Sequence, residues 1–132
     1  MPVYSTLVLK DGEATPVNHT FNPAGIDSNG VATLLESSGV IGGASKYSLL
    51  ARKGSRLKGT AKLVVPVVQT QTINGVSTPV VVRVSYVDYQ VSHDILSTEQ
   101  ERKNVQAMFR DSLDPAKALP YGVLVNFEGV WG

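Results

Sequence analysis

Two long stretches rich in β-forming residues, 57–72 and 78–92, flank the pair Asn74-Gly75, and this arrangement constrains the chain more than any other feature. An Asn-Gly pair accepts the positive φ angles of a tight two-residue hairpin turn, while Val, Thr, Tyr and Ile on either side favour strands. A further strand is expected over residues 46–53, joined to the next across Gly54-Ser55. Short connections between successive strands imply an antiparallel meander. Pro66 and Pro79 have no N–H for a ladder, so their strands are expected to be irregular or at an edge there.

Upstream, residues 4–10 alternate weakly and Asp11-Gly12 breaks the pattern. Pro16 and Asn18 mark another turn, which places His19 in a turn-like region. Pro23, Gly25, Asn29 and Gly30 punctuate the path into a short strand over residues 31–35. Residues 37–45, with three glycines, are expected to form a loop. The end of the chain switches to helix. Ser97 with Gln100 three residues on matches a capping box, and Glu99 and Glu101 suit a positive helix N-terminus. Val105, Met108, Phe109 and Leu113 form an apolar stripe at helical spacing, and Asp114-Pro115 ends it. A second helical piece is expected over residues 116–125, despite Pro120 and Gly122. Strands first and helices last give an α+β chain. It is expected to be one domain, residues 1–132, with the sheet over 1–95 and the helices over 97–126.

A chain of 132 residues with 42% hydrophobic content can bury a core, but its size leaves much apolar surface uncovered, which oligomerisation would relieve. The absence of cysteine excludes disulfide frameworks, zinc fingers and thiol nucleophiles. The apolar run at residues 63–68 is too short to span a membrane. No secretory signal is visible, so a soluble cytosolic protein is expected and the Asn18-His19-Thr20 sequon carries no weight. The net charge of +1 conceals an asymmetry. Residues 37–87 contain no Asp or Glu, yet hold Lys46, Arg52, Lys53, Arg56, Lys58, Lys62 and Arg83, seven of the twelve basic residues. Such a stretch points to a local polyanion-binding surface; a solvated basic patch without a partner is the alternative.

Strand parity sharpens this, because alternate residues share a face. Lys46, Ser48, Leu50 and Arg52 point one way, with Tyr47, Leu49 and Ala51 behind. Lys58, Thr60 and Lys62 oppose Gly59, Ala61, Leu63 and Val65, and Tyr86, Asp88 and Gln90 oppose Val87, Tyr89 and Val91. Lysines can contact phosphates, and hydroxyls with a projecting tyrosine can meet unpaired bases. A half-buried antiparallel sheet with an ordinary polar outer face is the competing explanation. The apolar face needs a cover wider than one helix of about four turns, and a partner subunit's helix would supply it. No catalytic set is complete. His93-Asp94 lacks a nucleophile elbow, and no Walker loop, dinucleotide fingerprint or metal cluster is present. No cofactor is expected. Asp111 and Asp114 fit helix-end roles, and Trp131 a packing or interface role.

The run Lys62-Leu-Val-Val-Pro66-Val-Val-Gln-Thr-Gln-Thr72-Ile-Asn-Gly-Val76, followed by Thr78-Pro-Val and Arg83-Val-Ser-Tyr86, resembles the levivirus coat protein family. So do Leu7-Val-Leu-Lys-Asp11, Phe21-Asn-Pro, Asn29-Gly-Val-Ala32 and Ser97-Thr-Glu-Gln-Glu-Arg102; the resemblance spans essentially the whole chain. It implies an N-terminal β-hairpin, a five-stranded antiparallel sheet and two C-terminal helices, in an intertwined dimer with a continuous ten-stranded sheet. It also implies assembly of dimers into an icosahedral shell of a single-stranded RNA bacteriophage, formed in the host cytoplasm and ending in the virion. Contacts around the symmetry axes would come from a loop formed by Thr70, Gln71, Thr72, Ile73, Asn74, Gly75, Val76, Ser77 and Thr78.

The same resemblance implies that the inward sheet face binds genomic RNA and an operator hairpin, repressing replicase translation. The positions carried over are Lys46, Ser48, Arg52, Lys58, Thr60, Lys62, Tyr86, Asp88 and Gln90, with Val31 at the rim. Two positions depart from the family pattern: Leu50 stands where a small hydroxyl residue is usual, and Asp88 where a neutral amide is common. A dimeric cellular RNA-binding regulator that forms no shell is the alternative; the loop over residues 70–78 separates the two, since a simple dimer would not need it.

Overall fold

The structure, a computed structural model, describes residues 3–36 and 43–130. In chain order it contains β1 (Leu7–Lys10), β2 (Asn18–Ile26), β3 (Ala32–Leu35), β4 (Lys46–Lys53), β5 (Arg56–Ile73), β6 (Val76–Asp94), α1 (Glu99–Ser112) and α2 (Ala118–Leu124). The strands form one sheet in the order of the sequence, so every connection is local. The chain divides into a sheet unit ending at Ser92 and a helical unit beginning at His93. Trp131 and most of the glycine-rich segment, residues 37–42, lie outside the described residues.

β2 serves two ladders. Its residues Asn18 to Phe21 pair with β1, and Asn22 to Ile26 pair with β3, with a register shift between Pro23 and Gly25. The expected hairpin and the expected five-stranded sheet therefore share this strand, and six strands result. His19 lies within β2 and not in a turn; its pairing with Leu9 and the burial of Phe21 on the same strand override the turn signal of the neighbouring Pro16 and Asn18.

The core of the sheet unit is small. Phe21 and Leu34, each 3% exposed, are the buried hydrophobic residues described. Phe21 meets Tyr47 edge-on, with ring centroids 6.5 Å apart. Leu34 pairs across the ladder with Tyr47, which pairs in turn with Leu63, so one row of side chains runs under three strands.

β5 and β6 run unbroken through both prolines. The β4–β5 ladder extends only to the Lys46/Val64 pair, so Pro66 lies beyond the reach of β4. β6 ends the strand order, so Pro79 sits on an edge strand. A missing N–H disrupts no ladder when it faces a side that has no partner, so both positions are compatible with continuous strands. The segment expected as a loop, residues 70–78, is strand on both sides of a two-residue turn. Asn74 (φ 53°) and Gly75 (φ 79°) form that turn, both in the left-handed region that a primed hairpin turn demands.

In the helical unit the cap of α1 is Thr98, one residue later than expected. Its hydroxyl accepts from the Glu101 N–H (3.2 Å), and the Glu101 carboxylate accepts from the Thr98 N–H (3.4 Å). Ser97 is engaged elsewhere: its carbonyl and hydroxyl accept from the Arg102 guanidinium at 2.6 and 3.2 Å. Pro120 is compatible with α2 because it sits in the first turn, where its missing N–H has no intrahelical acceptor. Neither helix contains a buried residue.

Candidate nucleic-acid interface

The β3–β4–β5 register decides which side chains stand together, since directly paired residues of an antiparallel ladder lie on one face. Ser48 pairs with Lys62, Leu50 with Thr60, Arg52 with Lys58, and Lys46 with Val64. On the other side Thr33 pairs with Ser48 and Leu35 with Lys46. Lys46, Ser48, Arg52, Lys58, Thr60 and Lys62 thus form two adjacent rows, into which Leu50 intrudes as an apolar side chain. β6 joins this face through Lys62 Nζ and Asp88 Oδ1, 3.9 Å apart. Alternation then places Tyr86 and Gln90 beside Asp88, and Tyr86 projects with 74% of its surface exposed.

Val31 stands just before β3, at the end of a turn held by Asp27. The Asp27 carboxylate accepts from the N–H groups of Asn29 (2.8 Å) and Val31 (3.0 Å), and Gly30 takes φ 86° to close the turn. On β3 this face also carries the hydroxyl of Thr33, which the set expected from the sequence omits. Parity on β3 was available to find it, but its neighbour Ser48 depends on register, which parity does not specify.

Five cations, Lys46, Arg52, Arg56, Lys58 and Lys62, and one carboxylate, Asp88, occupy the face among the described residues. The Lys62–Asp88 pair is mostly exposed on both sides, so it contributes less than about 1 kcal/mol and leaves Lys62 available to an anion. Arg56 has a different task. Its Nε donates to the Ser92 hydroxyl (2.8 Å) and its Nη2 to the Ser92 carbonyl (3.4 Å), fastening the β4–β5 turn to β6.

The reverse face carries Tyr47, Leu49 and Ala51 against Leu63, Ala61 and Gly59. A groove of about 670 Å³ runs over it, bordered by Tyr4, Leu34, Leu49, Tyr89 and Val91. At Gly59 a Cβ would lie 3.1 Å from Val91 Cγ1, so glycine lets β5 and β6 approach here. Leu49 on this face remains 41% exposed.

The titratable group with the most defined surroundings lies outside the basic face. His19 Nε2 is 2.8 Å from Asp11 Oδ2, and His19 Nδ1 is 2.6 Å from Glu36 Oε2. The Asp11 carboxylate, and then that of Glu36, hold the imidazolium and raise the His19 pKa above its ordinary 6.5. The N–H of Val17, and then His19, lower the pKa of Asp11 below 3.8. The two carboxylates sit on opposite edges of the ring and diverge, so they do not converge on a common ion. His93, at the end of β6, makes no comparable cluster among the described residues.

An antiparallel meander with one cationic face and one uncovered apolar face is the frame of a binding and packing protein. A family model described as the levivirus coat protein matches residues 2–131. The capsid protein of Pseudomonas phage PRR1 is 50% identical over 127 residues, covering 95% of this chain and 96% of that protein. Two solved structures share the fold. The virus-like particle of bacteriophage NT-214 matches with a TM-score of 0.82 and 25% identity, over 96% of this chain and 98% of the other. That of Beihai levi-like virus 21 matches with a TM-score of 0.77 and 28% identity, over 99% and 100%. The chain belongs to the levivirus coat protein family, and is a structural capsid protein, not an enzyme.

Proposed function

We propose that this capsid protein dimerises by joining sheet edges into one continuous sheet, with the helices of each subunit lying across the apolar face of its partner. The dimers then close into an icosahedral shell around single-stranded phage RNA. The observation that carries this reading is unburied surface. In the sheet unit Leu49 is 41% exposed, and in the helical unit Val105, Met108 and Phe109 are 44%, 66% and 48% exposed. Association would remove such apolar groups from water. Edge pairing also satisfies the open N–H and C=O groups of β6. The β5–β6 tip, residues 70–78, reaches beyond the ladder with β4 and is suited to contacts around the shell's symmetry axes.

The cationic face would then meet the genome and an operator hairpin that represses replicase translation. Lys46, Arg52, Lys58 and Lys62 supply phosphate contacts, Ser48 and Thr60 supply hydroxyls, and Tyr86 supplies a stacking surface. Val31, Asp88 and Gln90 complete the set at its edges, with Asp88 able to accept from a base amino group. Expression of the full chain in bacteria tests the assembly. Uniform spherical particles with a nucleic-acid absorbance spectrum are expected. A species that stays dimeric would favour the regulator alternative, and a stable monomer would overturn self-association. A reporter carrying the candidate operator ahead of the replicase start tests repression; undiminished reporter output alongside intact particles would remove that part only.

A further inference from the structure

We infer that protonated His19 is a clasp that pins the β1–β2 hairpin to the end of β3, so that the hairpin's attachment responds to pH. The need for a clasp comes from the topology. β1 pairs with Asn18 to Phe21 and β3 with Asn22 to Ile26, so the two ladders share a strand but no row of residues. Among the described residues, no backbone hydrogen bond outside these two ladders stops the hairpin from pivoting at the Phe21–Asn22 junction. Side chains supply the restraint. On one flank the Tyr4 hydroxyl accepts from the N–H groups of Ala24 (2.9 Å) and Gly25 (2.7 Å), donates to the Gly25 carbonyl, and contacts the Thr33 carbonyl. The hydroxyl of Thr6 adds a bond to the Asn22 side chain at 3.2 Å.

His19 ties together parts that no ladder joins. Asp11 belongs to the β1–β2 turn, where its other oxygen already accepts from the N–H groups of Glu13 (3.2 Å) and Val17 (3.0 Å). Glu36 directly follows β3, where its N–H donates to the Ser45 carbonyl at 2.9 Å. The imidazole therefore links the folded turn of the hairpin to the strand end that leads toward β4. From β1 and its turn the charged group facing the ring is Asp11, and from β3 it is Glu36. Lys10 and Glu13, the other charged residues of the hairpin, lie outside these two contacts, and the ring's cross-strand neighbour is the apolar Leu9.

A neutral imidazole has one N–H and one bare nitrogen. It can donate to one carboxylate, but its other nitrogen then opposes the second carboxylate, lone pair against lone pair. Both contacts are attractive only when the ring carries both protons. The raised pKa of His19 places this contribution in full below pH 6.5, and it is lost as pH rises through the folded value. The lowered pKa of Asp11 acts in the opposite direction: its contribution is present above pH 3.8 and is lost as pH falls through its own folded value. The clasp is closed between these limits. On the alkaline side one carboxylate must let go.

Mass spectrometry of the full chain tests this, using exchange of the imidazole C2 proton to titrate His19 and amide exchange to follow residues 3–26. The expected His19 midpoint lies above 6.5. Hairpin amides, after correction for intrinsic rates, are expected to lose protection as pH passes that midpoint, while β4 and β5 amides do not. His19→Gln, which can still donate to one carboxylate, should abolish the pH response. Glu36→Gln should lower the midpoint with the fold intact, and it decides the matter if His19→Gln does not fold. A midpoint at or below 6.5, or an unchanged hairpin response in the variants, overturns the inference.

Discussion

The two faces of the β4–β5 ladder share every backbone hydrogen bond and differ in every other respect. Leu49 and Leu50 are chain neighbours with the same side chain, yet Leu49 pairs with Ala61 on the apolar side and Leu50 with Thr60 among lysines and hydroxyls. One face has its charges already in place and lacks only a polyanion. The other carries one charge, Lys53 at the end of the ladder, is otherwise apolar, and lacks cover. A single ladder thus prepares two incompatible surfaces, and pleating keeps them apart without any additional element. The lesson is that partner type can be assigned strand by strand once the register is known.

The sharpest test of this contrast uses the two leucines. Leu49→Glu would place an unpaired carboxylate in the proposed subunit interface, at a cost of about 3–5 kcal/mol, and is expected to abolish particle formation in size-exclusion chromatography and electron microscopy. Leu50→Glu, one residue away, should leave particles intact and weaken RNA binding. Identical behaviour of the two variants would break the comparison. Next in size is Gly59→Ala, whose new methyl would press on Val91. A loss of about 1–3 kcal/mol in denaturant unfolding is expected, largely recovered by adding Val91→Ala. Full stability of the single variant would mean that β5 and β6 are not held so close.

On the polar face, Lys58→Ala or Lys62→Ala should weaken RNA binding similarly across sequences. Each should reduce the slope of log affinity against log salt by about 1, as removal of one phosphate contact requires. An unchanged slope would remove that lysine from the interface. The smallest expected effect belongs to Asp88→Asn. Removing the exposed partner of Lys62 alters a pair contributing less than about 1 kcal/mol, so affinity should rise by no more than about fivefold at low salt and the gain should shrink as salt is added. A large loss of affinity instead would identify Asp88 as a base-reading acceptor.

Much of the sheet was legible because its signals are local. The β-rich runs around Asn74-Gly75 identified the hairpin, and parity alone separated Lys58, Thr60 and Lys62 from Gly59, Ala61 and Leu63. The misplaced cap has a local origin too: Ser97-Gln100 and Thr98-Glu101 carry equivalent capping spacings. The choice between them follows from Arg102 occupying Ser97, a contact that spacing does not encode. The loop expected over residues 70–78 went astray for a related reason. Thr, Gln and Ser are compatible with either state, and the partner strand drew them into the ribbon up to the turn itself.

By itself the sequence determined the order of elements, the turn at Asn74-Gly75 and the division of each strand into a charged and an apolar side. These follow from backbone geometry that repeats every second residue, and from the φ preferences of individual residues. Only the tertiary structure decided that Ser48 stands beside Lys62, that β2 is shared by two ladders, and that His19 lies between Asp11 and Glu36. Register and side-chain meeting points depend on which distant residues pack together, and a periodic pattern is unchanged when a strand slides by two.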